Sequence, residues 1–142
     1  MKVKLLRKRA KRGEIPGTLE SPKGALPSEM QVFAYNADQI EELQACSIGE
    51  IEALRAKWPM IWVNVSGLAD TDLVAKLGET FHLHPLALED VLHTPQRPKV
   101  DEYDENICVI VRMVEEEKGS HVLDQMSLFW GDGYVISFQE RP

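Results

Sequence analysis

The chain of 142 residues has no apolar run of the about 18 or more residues that a membrane-spanning helix requires. Its basic N-terminus is not followed by an apolar stretch, so we expect no secretory signal. Cysteine is scarce as well: Cys46 and Cys108 form no C-x-x-C motif, and Cys108 lies in an apolar run that is typical of a buried strand. We therefore expect a soluble chain without a disulfide, suited to a reducing cytosol.

The motifs of several large enzyme classes are also missing. The sequence contains no G-x-x-x-x-G-K-[ST], no H-E-x-x-H and no G-x-S-x-G pattern. Ser66, which precedes Gly67 at the end of a predicted strand, suits a turn better than a nucleophile. We therefore predict that the chain is not an enzyme, and we assign no catalytic and no cofactor-binding residues.

Charge is divided unevenly along the chain. Seven of the first twelve residues are Lys or Arg, whereas residues 13–142 hold nine basic and 23 acidic side chains, a formal balance of −14. A segment this acidic favours small cations over nucleic acid as partners. The basic segment could touch anionic lipid or RNA, but like-charged blocks more often stay unfolded. We interpret residues 1–29 as a basic tail followed by an extended arm rich in Pro and Gly.

Strand and helix patterns alternate early in residues 30–142, and strand patterns follow one another late. Strands are predicted over residues 30–36, 61–67 and 107–114, and a hairpin over 125–130 and 134–140. Helices are predicted over residues 38–46, over 47–58 behind a Ser47–Glu50 capping box, from Asp70 or Thr71 to Phe81, and over 85–93. This order predicts an α/β fold in which helices pack on a mixed sheet.

Two adjacent carboxylates, Glu89 and Asp90, lie near the C-terminal end of the helix predicted over residues 85–93. Negative charge there opposes the helix dipole, at a cost of roughly 0.3 to 1 kcal/mol per group. The apolar stripe consists of Leu88, Val91 and Leu92, so the two carboxylates point away from the core. Because neighbouring residues do not converge on one point, the helix can supply only part of a metal site. A solvated acidic face is the alternative.

Carboxylates favour a hard cation such as Mg²⁺, which binds one or two protein carboxylates and keeps several waters. Zinc prefers nitrogen or sulfur, and His82 and His84 are two residues apart, so they would lie on different faces of a helix. We interpret them as surface or capping histidines. The other acidic positions, Asp101, Glu102 and the run 115–117, are expected to be solvated surface.

Several runs taken together resemble the N-terminal cytoplasmic domain of CorA-type magnesium transporters. They are WVNVSGL, FHLHPLALEDVLHTPQRPKVDEYDENICVIVRM, QMSLFW and YVISFQE, within a resemblance from Met30 to Glu140. The most specific part is HPLALEDVLH followed by QRPKVD, because identity, order and spacing match over an unbroken stretch. The resemblance implies a three-layer α/β/α sandwich with a mixed, mostly central β-sheet over residues 30–142. It also implies a stalk helix and two transmembrane helices that are absent from this chain.

What the resemblance implies for function is a cytoplasmic regulatory, Mg²⁺-sensing domain of a pentameric channel for Mg²⁺ and Co²⁺. The domain would lie on the cytoplasmic side of the cell (inner) membrane, and the fragment alone would be soluble. Its partners would be divalent cations and the neighbouring subunits of the homopentamer, with the membrane reached only through the missing helices. Asp90 is implied as a direct or water-mediated ligand of a regulatory Mg²⁺ shared between subunits, with Glu89 supporting it.

Two other interpretations stay open on the sequence. One is the corresponding domain of a zinc-transporting relative in the same superfamily, and the more remote one is a free-standing metal-dependent cytosolic enzyme. Two apolar stretches of about 20 residues beyond Pro142, with Gly-Met-Asn between them, would select a transporter. A stop codon at that point would favour a stand-alone protein.

Overall fold

A computed structural model describes residues 15–44, 47–117 and 119–142. The strands are β1 (Glu29–Tyr35), β2 (Ile40–Gln44), β3 (Met60–Ser66), β4 (Lys99–Glu102), β5 (Asn106–Glu117), β6 (Ser120–Gly131) and β7 (Tyr134–Gln139). The helices are α1 (Ile48–Lys57), α2 (Thr71–Thr80) and α3 (Pro85–Leu92). The predicted basic tail of residues 1–12 and Cys46 lie outside the described residues.

All seven strands form one sheet in the order β2-β1-β3-β7-β6-β5-β4. β3 and β7 pair in parallel, and every other neighbouring pair is antiparallel. The sheet is therefore mixed, and its parallel pair lies inside it rather than at an edge. This confirms the predicted α/β class with a mixed sheet.

One face of the sheet carries the core. Directly paired residues share a face, and the row Val32, Val63, Ile136, Phe129 and Cys108 runs across five strands with each member at most 1% exposed. Each helix adds buried residues to the same core: Ile51 and Leu54 from α1, Val74 and Leu77 from α2, and Leu88 and Val91 from α3. All three helices therefore pack on this face.

The opposite face, here called the open face, carries an apolar central row that is partly solvated. Its central row runs through the paired residues Phe33, Trp62, Val135, Trp130 and Ile107. Trp62 and Trp130 are 40% and 63% exposed, and Trp62 stacks on Phe33 with ring centroids 5.1 Å apart. Among the described residues no helix covers this face, so they supply two of the three layers that the resemblance implies.

The helix predicted over residues 38–46 is wrong, because the chain there forms strand β2. The side-chain oxygen of Asn36 accepts the backbone N–H groups of Asp38 and Gln39, each at 2.9 Å, and this turn reverses the chain. Ile40–Gln44 then pairs antiparallel with β1, and Leu43 packs against the core. Pairing with β1 thus overrides the helix propensity of the sequence IEELQ.

The other predicted helices are confirmed, and a second strand besides β2 was missed. Ser47 and Glu50 form the predicted capping box of α1, Asp70 caps α2, and Pro85 occupies the first turn of α3. The four-residue edge strand β4 had no counterpart in the prediction. None of the helices in the described part of the chain has the length and apolar character that crossing a bilayer demands.

Gly67 offers a test of how tightly the arm closes against the sheet. It has φ +81°, and an added Cβ would lie 2.1 Å from the carbonyl oxygen of Pro27. We expect Gly67→Ala to lower the free energy of unfolding by about 3 kcal/mol, measured by urea denaturation. Gly24→Ala is the matched control, because Gly24 has φ +79° but nothing within 4 Å of the added Cβ. It should cost about 1 kcal/mol, and equal losses in the two variants would contradict the steric argument.

Candidate functional site

The start of α3 is set by His84. The imidazole Nδ1 of His84 accepts the backbone N–H of Leu86 at 3.2 Å, which caps the helix. The same ring stacks on Tyr103 with centroids 4.8 Å apart and an interplanar angle of 17°. Of the two alternatives predicted, a surface or a capping histidine, His84 takes the capping role, and its stack on Tyr103 ties α3 to the segment after β4.

The apolar side of α3 fixes its rotation. Leu88, Val91 and Leu92 are buried as predicted, at 6%, 1% and 2% exposure. Leu88 also approaches α2 so closely that a Cβ on Gly78 would lie 2.3 Å from its Cδ1 atom. With this side packed, Glu89 and Asp90 are turned outwards, and each is only partly exposed.

Glu89 is engaged by the extended arm. Its Oε2 accepts the backbone N–H of Gly17 at 2.7 Å, and its Oε1 lies 3.4 Å from Nδ1 of His93 one turn later. The Glu89 side chain is 25% exposed in this setting. Glu89 therefore fastens the arm to α3 and does not simply project into solvent.

Asp90 makes a different contact. Its Oδ2 lies 2.6 Å from Nζ of Lys99, and the same nitrogen lies 2.6 Å from Oδ2 of Asp101. We call this arrangement the Asp90–Lys99–Asp101 bridge. Its three side chains are between 24% and 37% exposed. The expectation that Asp101 is merely solvated surface is therefore wrong, whereas Glu102, Glu115 and Glu116 are exposed as expected.

The bridge exists because of β4. Lys99 and Asp101 are two residues apart in a strand, so both point to the face that carries the core. Asp101 pairs with Cys108 and Lys99 with Ile110, which are both buried. The alternation in KVDE was the available signal, but a four-residue strand is hard to recognise without its pairing partner.

The charges of the bridge keep Lys99 protonated. Partial burial alone would lower the pKa of Lys99, but the hydrogen bonds to Asp101 and Asp90 outweigh burial and raise that pKa. Burial, reinforced by the charge of Asp101, raises the pKa of the neighbouring Tyr103. Burial also raises the pKa of Cys108 to about 12, so its thiol is neutral at neutral pH. The only full positive charge beside Asp90 among these groups is therefore the ammonium of Lys99.

Gln125 of β6 holds the backbone of α3 and of the loop after it. Its Nε2 donates to the carbonyl of Asp90 at 3.0 Å and to Oγ of Ser127 at 3.1 Å, and its Oε1 accepts the N–H of Gln96 at 2.7 Å. Gln125 is 2% exposed. Sequence reasoning missed this residue, although its alternation with Ser127 and Phe129, at every second position, placed it on the core face. Arg112 adds a hydrogen bond of 2.8 Å to the carbonyl of Gln96.

The chemistry of these groups decides what they could bind. Asp90 offers carboxylate oxygen, the donor type that Mg²⁺ prefers, and it is reachable from solvent. Glu89 and Asp90 hold different partners, so they do not form one two-carboxylate site. The described residues contain no group of three or more His, Cys, Asp or Glu side chains placed to hold a metal ion. The carboxylate of Asp90 therefore has the donor chemistry that suits Mg²⁺, and the described residues around it supply only part of a coordination sphere.

Comparison with known proteins relates this arrangement to a family. The family model described as "CorA-like Mg2+ transporter protein" matches residues 59–142, which include α3 and the bridge. The cobalt/magnesium transport protein CorA of Thermotoga maritima is 33% identical over 135 residues, which cover 93% of this chain and 38% of that protein. The putative metal ion transporter YfjQ of Bacillus subtilis is 35% identical over 77 residues, 54% of this chain and 23% of that protein. The chain thus spans well under half the length of these relatives.

Solved structures share the fold at lower identity. The soluble domain of CorA from Methanocaldococcus jannaschii aligns with 82% of this chain and 41% of its own, with a TM-score of 0.56 and 11% identity. The cytoplasmic domain of ZntB from Vibrio parahaemolyticus aligns with 82% of this chain and 46% of its own, with a TM-score of 0.62 and 15% identity. The likeness to these two structures is one of fold.

The anchoring role of Gln125 can be tested with Gln125→Met, which keeps the side-chain length. The change leaves the Asp90 carbonyl and the Gln96 N–H without their partner, so we expect a loss of about 2 to 4 kcal/mol in the free energy of unfolding. Amide hydrogen exchange at Gln96 should also accelerate. Gln44→Met, at an exposed position of β2, is the control and should change stability by less than about 0.5 kcal/mol. Unchanged exchange at Gln96 would show that Gln125 does not hold the loop.

Proposed function

Because the chain belongs to the CorA-like Mg²⁺ transporter family, we propose that it is the cytoplasmic, Mg²⁺-sensing domain of a homopentameric channel that transports Mg²⁺ and Co²⁺. In this proposal the domain lies on the cytoplasmic side of the inner membrane and performs no catalysis. Further parts of the same polypeptide form the stalk and the pore. The transport of cobalt and magnesium by the Thermotoga relative supports the choice of ions.

The observation that carries the proposal is the placement of Asp90. The cap at His84, the buried stripe of α3 and the hydrogen bond from Gln125 to its carbonyl together fix the backbone of this residue. Its side chain is nevertheless 24% exposed. A carboxylate that is rigidly positioned but open on one side suits a cation held jointly with donors from a neighbouring subunit. Glu89 supports the site by holding the arm and by adding negative charge.

Mg²⁺ would act by neutralising acidic groups that face each other across a subunit boundary. Two carboxylates about 4 Å apart repel by about 4 kcal/mol at an effective dielectric constant near 20. Shifting a two-state equilibrium from mostly open to mostly closed takes about 5.5 kcal/mol. Neutralisation at several boundaries together therefore supplies enough free energy to close a pore when internal Mg²⁺ is plentiful. Loss of the ion restores the repulsion and favours opening.

A zinc-responsive domain is the second candidate, and the pair formed by Glu89 and His93 favours it. Their oxygen and nitrogen lie 3.4 Å apart on successive turns of α3, and zinc binds such mixed donors. The cytoplasmic domain of ZntB also shares this fold. The two candidates differ in the residue that a response requires: Asp90 for Mg²⁺ and His93 for Zn²⁺.

The test is Asp90→Asn in the full-length channel, with currents recorded while internal Mg²⁺ is raised. Removing the charge takes away a ligand and a repelling group, so closure should need about tenfold more Mg²⁺ or fail. Undiminished closure would remove Asp90 from the mechanism.

Asp104→Asn is the matched control for this experiment. It removes the same charge at an exposed position between β4 and β5. Closure by Mg²⁺ should be unchanged in this variant. A response to Zn²⁺ that is lost in His93→Ala and kept in Asp90→Asn would favour the zinc-responsive candidate instead.

A further inference from the structure

One ammonium group forms ion pairs with two carboxylates in the Asp90–Lys99–Asp101 bridge. The nitrogen of Lys99 lies at the same distance, 2.6 Å, from an oxygen of Asp90 and from an oxygen of Asp101. The Asp90 carboxylate comes from a helix, and the other two side chains come from an edge strand. The cation next to Asp90 is therefore part of the chain itself.

We propose that Lys99 is a tethered competitor of the divalent cation at Asp90, and that Asp101 holds the ammonium when the cation binds. This inference rests on the proposed function, because it concerns the regulation of that same site. Lys99 is a positioning and threshold-setting residue in this scheme. It contacts Asp90 and does not bind the metal.

Competition follows from charge and space. The ammonium lies in hydrogen-bonding contact with Oδ2 of Asp90, so a second cation at this oxygen would meet a like charge at close range. A divalent ion interacts with the carboxylate twice as strongly as a monovalent one at equal distance, so it can displace the ammonium where Na⁺ or K⁺ cannot. Lys99 thereby raises the Mg²⁺ concentration that occupies Asp90 and protects the site from monovalent ions.

Asp101 makes this exchange feasible. A half-buried ammonium that lost its only partner would be strongly disfavoured. Lys99 has three N–H donors on a flexible stem, and Asp101 already accepts one of them. When a divalent cation takes Asp90, Lys99 can therefore swing towards Asp101 and remain paired. The exchange removes one ion pair from the chain rather than two.

The test uses the 142-residue chain and MgCl₂ at constant ionic strength, with the backbone amide resonance of Asp90 followed by NMR. Lys99→Met removes the ammonium and keeps the length of the side chain. The Mg²⁺ concentration at half-saturation should fall by about tenfold, because a competing charged hydrogen bond is lost. Lys99→Arg retains the positive charge and should behave like the unaltered chain.

Asp101→Asn provides a second, opposite readout. Without Asp101 the ammonium depends on Asp90 alone, so half-saturation should require about threefold more Mg²⁺. In the Lys99→Met background, Asp101→Asn should have no comparable effect, because no ammonium remains to be held. An equal weakening in both backgrounds would mean that Asp101 contacts the metal and would overturn its proposed role.

Lys57→Met is the matched control for charge. Lys57 pairs with Glu41 at 2.9 Å, so its loss also breaks one ion pair and removes one positive charge, but it lies on α1. Half-saturation at Asp90 should not change in this variant. Should Lys99→Met fail to fold, the side-chain nitrogen resonance of Lys99 in the unaltered chain should shift as Mg²⁺ binds. A stationary resonance would overturn the inference.

The outcomes separate the two proposals. If Asp90→Asn abolishes the Mg²⁺ response and Lys99→Met leaves the half-saturation point unchanged, the competition is wrong and the proposed site stands. If closure of the full-length channel by Mg²⁺ is unchanged in both Asp90→Asn and Lys99→Met, both proposals are overturned.

Discussion

The negative charge of Asp90 is the constraint that the contact between α3 and β4 satisfies. A carboxylate near the C-terminal end of a helix faces the negative pole of the helix dipole and needs a compensating positive charge. The chain supplies it from Lys99, nine residues later in the edge strand β4. The pairing of β4 with β5 places Lys99 there, and the hydrogen bonds of Lys99 to Asp101 and Asp90 raise its pKa despite partial burial.

A second requirement is that the backbone carrying this charge stays in place. Gln125 meets it with one buried amide group that bonds both to α3 and to the loop beyond it. Because Gln125 belongs to an interior strand of the sheet, the loop and the helix end are tied to the core. In the proposed function such support matters, since the response of Asp90 to an ion would then depend on charge and not on local disorder.

The two faces of the sheet have different roles. The face that carries the core holds the helices and, at its edge, the bridge. The open face presents a row of apolar residues that includes Trp62 and Trp130, and an apolar patch of this kind is typical of a surface that contacts another element. The three-layer sandwich implied by the resemblance would place further helices on that face. The site and the open face therefore lie on opposite sides of the same sheet.

Local rules were enough for much of the structure. Capping chemistry and helical periodicity predicted α1, α2 and α3 and the outward direction of Glu89 and Asp90. Alternation and the hairpin turn predicted β6 and β7, and the order of helix and strand patterns predicted the α/β class. These features depend on neighbours within a few residues, so a single sequence contains the information.

What required the tertiary structure was every feature whose partner is distant in the chain. The segment from Ile40 to Gln44 has the composition of a helix, and only pairing with β1 makes it a strand. The amide of Gln125 reaches the Asp90 carbonyl across 35 residues, and Gly17 reaches Glu89 across 72. The sequence by itself determined that the carboxylates of Glu89 and Asp90 point away from the buried side of α3. The tertiary structure decided that the ammonium of Lys99 contacts Asp90 and that the N–H of Gly17 donates to Glu89. Folding brings these groups together, and no local sequence pattern connects them.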